Sequence, residues 1–387
     1  MQYTEVTMPG FSRPGHHRFT LTTGTLEVRS DATPETLDTL FGIAERRNPK
    51  RAFLFVSKVL GRHIPAEPEI MRGVYRRLAE QFPQDLPQPV LVIGMAETAV
   101  GLGAGVYSEI RRQYPASLYL SSTRHPADGK LLCEFKENHS HATDHLLYFP
   151  DDPQLKARLQ QAKTLVLADD EATTGNTFTN LLTALHESGQ LPDLQQVVTV
   201  TLTDWRDTPA TSQHGLPLQH VSLIGGSWHW EADPDATLPE MPDVNVSSAG
   251  TVPIRRPQTR VRLGLHEPHT DFGCAVTALP GERILVLGSG EFVWEPFLLA
   301  ERLADAGADV KFSALTRSPI APGGAIESVI SFTDNYGLGI ANYLYNVAHQ
   351  SFDRILLCTE TDPAAFDPQL LQALSGCAPL TEIIYDD

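Results

Sequence analysis

The chain has 387 residues, of which 30 are Lys or Arg and 47 are Asp or Glu, so its formal net charge is −17. This acidity argues against duplex nucleic acid or an anionic membrane as the main partner, since both attract a broad basic field. An anionic substrate would have to be held by local dipoles, a few cations or a metal ion. The composition, 41% hydrophobic and 20% charged, describes a folded globular protein. At roughly 150 residues per domain, the length predicts about two or three domains.

The sequence shows neither a signal peptide nor an apolar run near the roughly 20 residues of a membrane span, so we expect a cytoplasmic protein. The four cysteines are scattered and form no C-x-x-C motif. In a chain of this length, that pattern is typical of reduced thiols in a cytosol.

The first half of the chain alternates between helical and strand patterns. Helices are predicted at 37–46, 67–81, 97–114 and 178–188, and strands at 90–94, 118–121, 164–168 and 196–202. The segment 53–60 fits either a strand or a buried helix, because its periodicity does not decide between them. The polar, His-rich segment 124–144 is interpreted as a long loop. Strands that alternate with helices predict a parallel α/β sheet.

The second half begins after a change of composition at 232–257, where prolines recur and periodicity disappears. Strands are then predicted at 283–287, 309–314 and 354–358, and helices at 294–306, 340–349 and 368–375. We therefore predict a first domain at 1–235, a linker at 236–258 and a second, smaller α/β domain at 259–387.

The strongest motif is TLVLADDEATTGNT at 164–177, where a buried strand ends in Asp169 and Asp170. Carboxylates at the carboxyl end of a parallel strand face the crevice where ligands bind. They can accept hydrogen bonds from vicinal ribose hydroxyls, or hold those hydroxyls through a bound Mg²⁺. The loop that follows opens a helix, and its N–H groups and hydroxyls offer a phosphate site. The residues of this loop are Thr173, Thr174, Gly175, Asn176 and Thr177.

This arrangement resembles the 5-phosphoribosyl 1-diphosphate (PRPP) motif of type I phosphoribosyltransferases. The resemblance implies a parallel sheet of that type with helices on both faces, and a Rossmann-like second domain. It implies that Asp169 and Asp170 hold the ribose diol and that 173–177 binds the 5′-phosphate. Mg²⁺ would enter with PRPP, with the two aspartates as its candidate protein ligands.

A second segment lies where that family places its pyrophosphate loop, directly after the strand at 90–94. Its residues are Met95, Ala96, Glu97 and Thr98. The backbone N–H groups of 96–98 would meet the diphosphate, beside which Glu97 is unexpected unless it reaches Mg²⁺ or water. The nearby GLGAG at 101–105 is interpreted as helix packing through small residues, because G-x-G-x-x-G is not met.

The loop 124–144 matches the position of the mobile catalytic loop in orotate-type enzymes of the family. Arg124 and Lys136 are then catalytic cations that would close over the diphosphate, with Lys130 as a further candidate. His139 and His141 are candidates for contact with the base, against the alternatives of acid–base work, a zinc site and solvated histidines. In the segment 53–65, which would cover the base, Lys58 is the counterpart of a ligand-contacting lysine, or else a surface lysine.

The stretches RNPKRAFLFVSKVLGRHIP, SSTRHP, EFKENHSHATDH and LADDEATTGNT together resemble orotate-phosphoribosyltransferase-like proteins encoded near bacterial tellurite-resistance genes. In the second half, GSGEF, TRSP and DNYG resemble the TRSP domain of that group. These motifs suggest either a second anion site or an interface. The residues of the candidate second site are Gly288, Ser289, Gly290, Glu291, Arg317 and Ser318.

The resemblance predicts an Mg²⁺-dependent phosphoribosyltransferase that joins PRPP to a nucleobase-like acceptor, or splits a nucleotide with pyrophosphate. It links the product to nucleotide metabolism and to stress or tellurite resistance. The alternative is a non-catalytic protein that senses PRPP or a nucleotide, or an adaptor. Orotate-type relatives are commonly dimers, which makes a homodimer the partner to test, although the sequence leaves the oligomeric state open.

Overall fold

The fold is taken from a computed structural model of the chain, which describes residues 15–46, 48, 50–136, 144–240, 250–254, 261–267 and 270–385. Among them, no helix is long and apolar enough to cross a membrane.

The helices of the described residues are α1 (Pro34–Leu40), α2 (Pro68–Ala79), α3 (Ala99–Ile110), α4 (Pro153–Gln160), α5 (Asn176–Ser188), α6 (Trp294–Asp305) and α7 (Pro368–Ser375). The strands are β1 (His16–Leu21), β2 (Gly24–Ser30), β3 (Phe41–Glu45), β4 (Phe53–Ser57), β5 (Val90–Gly94), β6 (Ser117–Ser121), β7 (Leu131–Lys136), β8 (Asp144–Tyr148), β9 (Thr164–Ala168), β10 (Glu171–Ala172), β11 (Gln196–Asp204), β12 (Ser212–Gln213), β13 (Leu216–Ala232), β14 (Arg283–Gly288), β15 (Asp309–Ala314), β16 (Val329–Thr333), β17 (Ala341–Tyr345), β18 (Arg354–Cys358) and β19 (Leu380–Ile384).

A central sheet carries the first domain, with strand order β1-β2-β13-β11-β9-β5-β6. The neighbours from β13 to β6 pair in parallel, whereas β2 pairs antiparallel with the second half of β13 and with β1. Every residue of β5 and β9 is buried. Strands covered on both faces read as continuous apolar runs, so the patterns VLVIG and TLVLA predicted these two strands correctly.

Helix α3 packs closely on this sheet because its glycines carry no side chains. A Cβ added at Gly103 would lie 2.8 Å from the Cα of Gly94, and one at Gly105 would lie 2.3 Å from Cδ2 of Tyr75. The interpretation of GLGAG as a packing motif is therefore confirmed.

Two predictions in the first domain need correction. The helix predicted at 37–46 ends at Leu40, because the next residues pair with β4 as strand β3 and bring Phe41 edge-on to Phe55, with ring centroids 4.9 Å apart. The same pairing decides between the two alternatives for 53–60, because Phe53–Ser57 form a strand and not a helix. The segment 124–144 is not a continuous loop, since β7 lies within it and pairs with β8 as a hairpin.

The second domain has a smaller parallel sheet of order β15-β14-β18-β19, beside the hairpin β16-β17. The helix predicted at 340–349 is wrong. Residues 341–345 instead form β17, in which Tyr343 and Tyr345 lie on one face and stack at 5.6 Å.

The two domains pack on a continuous apolar core. Helix α6 of the second domain contacts α2 and α3 of the first, and Trp294 and Phe297 join the same buried cluster as Tyr75. Arg72 of α2 donates to both carboxylate oxygens of Glu301 at 2.6 and 2.7 Å. Val261 and Leu265, which follow the proline-rich segment, pair with the backbone of β6.

Candidate functional site

The acid pair lies at the carboxyl edge of the central sheet, between β9 and β10. The Asp169 amide donates to the Val200 carbonyl at 3.0 Å, and the Asp170 amide donates to Asp169 Oδ1 at 3.0 Å. Both aspartate side chains are half-buried. Burial raises the pKa of Asp170 to about 6, and the carboxylate of Glu171 acts in the same direction. Two adjacent carboxylates are thus presented at the crevice where open α/β sheets bind ligands.

The glycine loop follows at once and leads into α5. Gly175 adopts a φ of +78° immediately before the helix, a backbone conformation that residues with a side chain rarely adopt. Thr174 is exposed, and its Oγ1 accepts from the Asn176 amide at 3.3 Å. The loop borders a cavity of about 280 Å³ that Thr173, Thr174 and Gly175 line on one side. The loop thus combines a glycine of positive φ, a helix start and open space on one side, and the binding of a phosphate there stays a prediction.

Two arginines that the motif analysis missed lie beside these elements. Arg51 pairs with Glu171 at 2.6 Å, so the third acid of the motif is neutralised by a residue of the connection between β3 and β4. Arg206, two residues after β11, lies against the loop at Gly175. For Arg206 a signal was present in the sequence, because this residue follows the end of a strand at the same edge of the sheet as the acid pair.

The predicted pyrophosphate loop lies on the neighbouring strand and faces the second domain. The Met95 amide donates to the Ala168 carbonyl at 3.0 Å, and the Ala96 amide donates to Ser122 Oγ at 2.9 Å. The amide of Ala96 is thus already bonded within the protein. The peptide bond between Ala96 and Glu97 is cis, and Thr98 directly precedes α3 without a side-chain capping bond.

Glu97 does not need to face a diphosphate, because its carboxylate is paired elsewhere. Arg62, which is 3% exposed, donates to Glu97 Oε1 at 2.8 Å and to the Glu97 carbonyl at 2.7 Å. The same guanidinium donates to the carbonyls of Gly290 and Leu315 in the second domain. Arg62 therefore ties the predicted pyrophosphate loop to the second domain.

The hairpin β7-β8 places the predicted catalytic loop near the start of α5. Asn180 lies in α5, one turn after the glycine loop. Its Nδ2 donates to the carbonyl of Lys136, the last residue of β7, at 2.8 Å. Lys130 lies at the other end of the hairpin, 5.4 Å from the ring of Phe149. His139 and His141 lie outside the described residues. The structure thus places the backbone of Lys136 beside α5, whereas Lys130 lies near Phe149.

Arg124 is held at the domain interface. Its amide donates to Glu291 Oε1 at 2.8 Å, and the neighbouring Thr123 hydroxyl donates to Glu291 Oε2 at 2.5 Å. His125 stacks on Tyr336 with ring centroids 4.1 Å apart. The segment that begins the predicted catalytic loop is therefore anchored by the second domain.

Lys58 lies beside the covering segment but is paired with α1. Its Nζ donates to the Asp38 carbonyl at 2.7 Å and to Asp38 Oδ1 at 2.8 Å. A small cleft nearby is lined instead by Phe41, Phe55 and Asp170. Trp205 stacks on Phe55 at 4.7 Å behind this cleft. Aromatic rings, more than the lysine, thus form the wall that faces the acid pair.

The candidate second site is built into the interface. Gly288, Ser289 and Glu291 are buried, and Gly290 has a φ of +57°. Arg262, fully buried, donates to Glu360 at 2.5 and 2.7 Å and to Glu291 at 3.1 Å. The paired guanidinium lowers the pKa of Glu291 to about 2, against the opposing effect of burial.

The other two members of that candidate site lie beyond this network. Arg317 lines a small cleft together with Glu97 and His125, and the Ser318 amide donates to Thr316 Oγ1 at 3.1 Å. The turn at 288–292 thus carries its own acid, and the structure makes it a contact between domains.

The remaining feature of this site is the set of side chains that could hold a metal ion. In the described ranges, no group of three His, Cys, Asp or Glu residues is arranged to hold a metal ion. Mg²⁺ is commonly held by one or two carboxylates together with substrate phosphates, however. The half-buried oxygens of Asp169 and Asp170 fit that requirement.

Comparison with known proteins identifies the class. Residues 40–227 match the model of a family described as phosphoribosyl transferase, and residues 264–374 match the TRSP domain described as C-terminal to it. The first part of the chain is thus similar to phosphoribosyltransferases, and the second part is similar to the TRSP domain that follows them. Phosphoribosyltransferases are enzymes, so the prediction of an enzyme of this class is confirmed, as is the α/β fold class.

Similar solved structures also belong to this class. The adenine phosphoribosyltransferase of Rhodothermus marinus is 18% identical, with 49% of this chain and 96% of that chain covered at a TM-score of 0.30. That of Trypanosoma brucei, in complex with AMP, pyrophosphate and ribose-5-phosphate, is 13% identical, with 51% and 82% covered at 0.32. A hypoxanthine phosphoribosyltransferase of Staphylococcus aureus is 12% identical, with 43% and 79% covered at 0.25. No curated protein matches the chain.

Proposed function

We propose that the protein is an Mg²⁺-dependent phosphoribosyltransferase that transfers the phosphoribosyl group of PRPP to a nucleobase-like acceptor, or catalyses the reverse pyrophosphorolysis. The observation that carries the proposal is the loop 173–177. It opens α5 directly after two adjacent carboxylates at the carboxyl edge of a buried parallel strand. Under this proposal, the phosphate site and the diol site are one loop apart.

The reaction breaks the bond between ribose C1 and the diphosphate oxygen, and a ring nitrogen of the acceptor forms the new bond to C1 and gives up its proton to the released diphosphate or to water. Positive charge develops on the ribose as the diphosphate leaves. Carboxylates near the ring and donors near the departing oxygens stabilise such a transition state. In this proposal Asp169 and Asp170 accept hydrogen bonds from the ribose hydroxyls, and Arg124 and Lys136 approach the diphosphate from the loop anchored on the second domain.

Mg²⁺ would be held by the diphosphate and by Asp169 or Asp170, and when bound it supplies charge neutralisation of the leaving group. The chain's own residues orient the substrate. Amides and hydroxyls of 173–177 fix the 5′-phosphate, and the backbone of 95–98 borders the diphosphate. Amides and hydroxyls bind an anion through their dipoles. An acidic protein can therefore hold an anionic substrate without a basic surface.

The acceptor is proposed to bind at the cleft between Phe41, Phe55 and Asp170, whose volume of about 20 Å³ has to widen to admit a planar heterocycle. An aromatic wall suits a planar heterocycle, since offset stacking adds to the burial of its faces. Lys58, His139 and His141 remain candidates for contact with the base. Lys58 would have to exchange its present contact with Asp38 for the ligand.

The proposal is tested by titrating the full-length protein with PRPP in the presence of Mg²⁺ and following the heat. We expect saturable binding that is weakened at least about 10-fold in Asp170→Asn, since hydrogen bonds to a charged group are each worth about 1.5–3 kcal/mol. Asp193→Asn, at an exposed position away from the site, is the matched control and should bind normally. Absence of PRPP binding by the wild type would overturn the proposal.

The non-catalytic alternative differs in turnover rather than in binding. The anchoring of 123–125 on the second domain favours a sensor or adaptor, because a segment held by Glu291 can transmit a bound state to that domain. A panel of nucleobases with PRPP, followed by release of pyrophosphate, separates the two. Tight PRPP binding with no turnover on any base would favour the alternative.

The finer assignments complete the proposal. We place the enzyme in the cytoplasm, in nucleotide metabolism linked to stress or tellurite resistance, on the resemblance of its motifs to the orotate-type, tellurite-associated group. A homodimer is the expected assembly on the same ground, and sedimentation of the purified protein would test it.

A further inference from the structure

Arg206 is placed against the phosphate loop by the end of β11. A Cβ built on Gly175 would lie 3.1 Å from Arg206 Nη1 and 3.4 Å from its Cδ, so the guanidinium lies directly beside the loop backbone. Only 9% of the Arg206 side chain is exposed. A buried guanidinium requires partners for its charge and for its donors.

Most of the donors of Arg206 are held by a network on the sheet. Its Nε and Nη2 donate to the two carboxylate oxygens of Asp204 at 2.8 and 2.5 Å. Nη2 also lies 3.0 Å from His220 Nδ1, which the Thr199 hydroxyl contacts at 2.7 Å. His220 Nε2 lies 2.8 Å from the Ala210 carbonyl, which fits a neutral ring with its proton on Nε2. Burial lowers the pKa of His220, in agreement with that neutral form.

The remaining donor group of Arg206 is Nη1, which has no hydrogen-bond partner within the described part of the chain. Arg206 also lines the cavity of about 280 Å³ whose wall is formed by Thr173, Thr174 and Gly175. The network thus fixes the orientation of the guanidinium and leaves two N–H groups of Nη1 beside the loop. A guanidinium nitrogen that is held in place and has spare N–H groups can donate a charge-assisted hydrogen bond to a phosphate oxygen.

We propose that Arg206 is a phosphate-binding residue of this site, whose Nη1 donates to the phosphate that the loop 173–177 holds, while Asp204 and His220 act as positioning residues. The proposal rests on the proposed function, because it takes the 5′-phosphate of a phosphoribosyl ligand as the group bound. It adds a side-chain cation to a site otherwise built from amides and hydroxyls. Arg206 thereby makes the loop selective for ligands that carry a 5′-phosphate.

The test compares ligands with and without the phosphate. Full-length protein is titrated with PRPP, ribose 5-phosphate, ribose, inorganic phosphate and pyrophosphate, each with Mg²⁺. We expect Arg206→Gln to weaken PRPP and ribose 5-phosphate about 10- to 100-fold, the loss of one charge-assisted hydrogen bond. Pyrophosphate affinity should stay unchanged, which a general loss of structure would not allow. Arg206→Lys should recover part of the affinity, because it keeps the charge without the fork.

A matched control is available on the second domain. Arg283 also pairs with both oxygens of one aspartate, Asp353, but lies on the surface of the second domain, so Arg283→Gln should bind every ligand as the wild type does. Asp204→Asn should weaken the same two ligands as Arg206→Gln, but less. Thermal unfolding of each variant shows whether it is folded.

The outcomes separate this proposal from the one on which it rests. If the wild type binds PRPP and ribose 5-phosphate and Arg206→Gln binds them equally well, Arg206 is not a phosphate ligand, although the transferase proposal stands. Parallel loss of pyrophosphate binding in a folded variant would also overturn the role of Arg206. If the wild type binds none of the phosphate-bearing ligands, both proposals fall.

Discussion

The two domains use the same local construction at β9–α5 and at β14–α6, with opposite results. In each, a buried parallel strand ends in a turn with a glycine of positive φ, Gly175 at +78° and Gly290 at +57°, before a helix. At the first turn, Thr174 is exposed and a cavity borders the loop. At the second, Ser289 and Glu291 are buried and the turn contacts the other domain.

The difference lies in what fills the space beyond the turn. The first turn carries hydroxyls and leaves its space open for a ligand. The second carries an acid, Glu291, whose oxygens accept from Thr123, the Arg124 amide and Arg262. A strand, a glycine turn and a helix are therefore not sufficient for an anion site, because the residue in the turn and the packing around it decide which group the turn binds.

The largest loss of stability is expected when the cation that neutralises Glu291 of the second turn is removed. Arg262→Leu would leave the buried carboxylates of Glu291 and Glu360 without their cation, and removal of one partner from a buried ion pair costs about 3–5 kcal/mol. Urea unfolding would measure the loss. Replacing all three residues by apolar ones of similar size should restore most of it. A loss below about 1 kcal/mol would mean that the network does not stabilise the interface.

The comparison of the two glycines gives the next effect. Gly175→Ala and Gly290→Ala each force a side chain into a positive φ, and we expect each to cost about 1–2 kcal/mol of unfolding free energy. Only Gly175→Ala should weaken ribose 5-phosphate, since its Cβ would press on Arg206. Calorimetric titration of both variants decides this, and equal losses of affinity would mean that the turns do not differ in function.

A smaller effect is expected from the pH dependence of Asp170. Its pKa of about 6 lies above the ordinary 3.8, so the folded state favours the protonated form and the wild type loses stability as pH rises from about 4 to 6. Asp170→Asn should therefore melt with the wild type at pH 4 and above it at pH 7, although it binds PRPP more weakly. Equal melting temperatures at pH 7 would contradict the raised pKa.

How far the sequence predicts this molecule depends on how local each signal is. The strands at 90–94 and 164–168 and the acid–glycine motif were predictable, because burial on both faces and turn chemistry are written into adjacent residues. The helices predicted at 37–46 and 340–349 failed because hairpin pairing with the neighbouring strand, β4 or β16, outweighed the local pattern. Arg51 and Arg206 were missed for a related reason, since each reaches the site through packing rather than through spacing. The role of Glu97 required Arg62 and the second domain, neither of which its motif contains.

The pairing of Val261 and Leu265 with β6 has a consequence for any attempt to produce the first domain alone. Strand β6 ends the path of the central sheet, and the Tyr119 amide and carbonyl bond to Leu265, as the Ser121 amide does to the Val261 carbonyl. A chain truncated before residue 261 would expose that edge, with its free backbone groups and apolar side chains, to the same edge of other molecules. Such a fragment is expected to aggregate during expression, and extension of the fragment to residue 267 should reduce this.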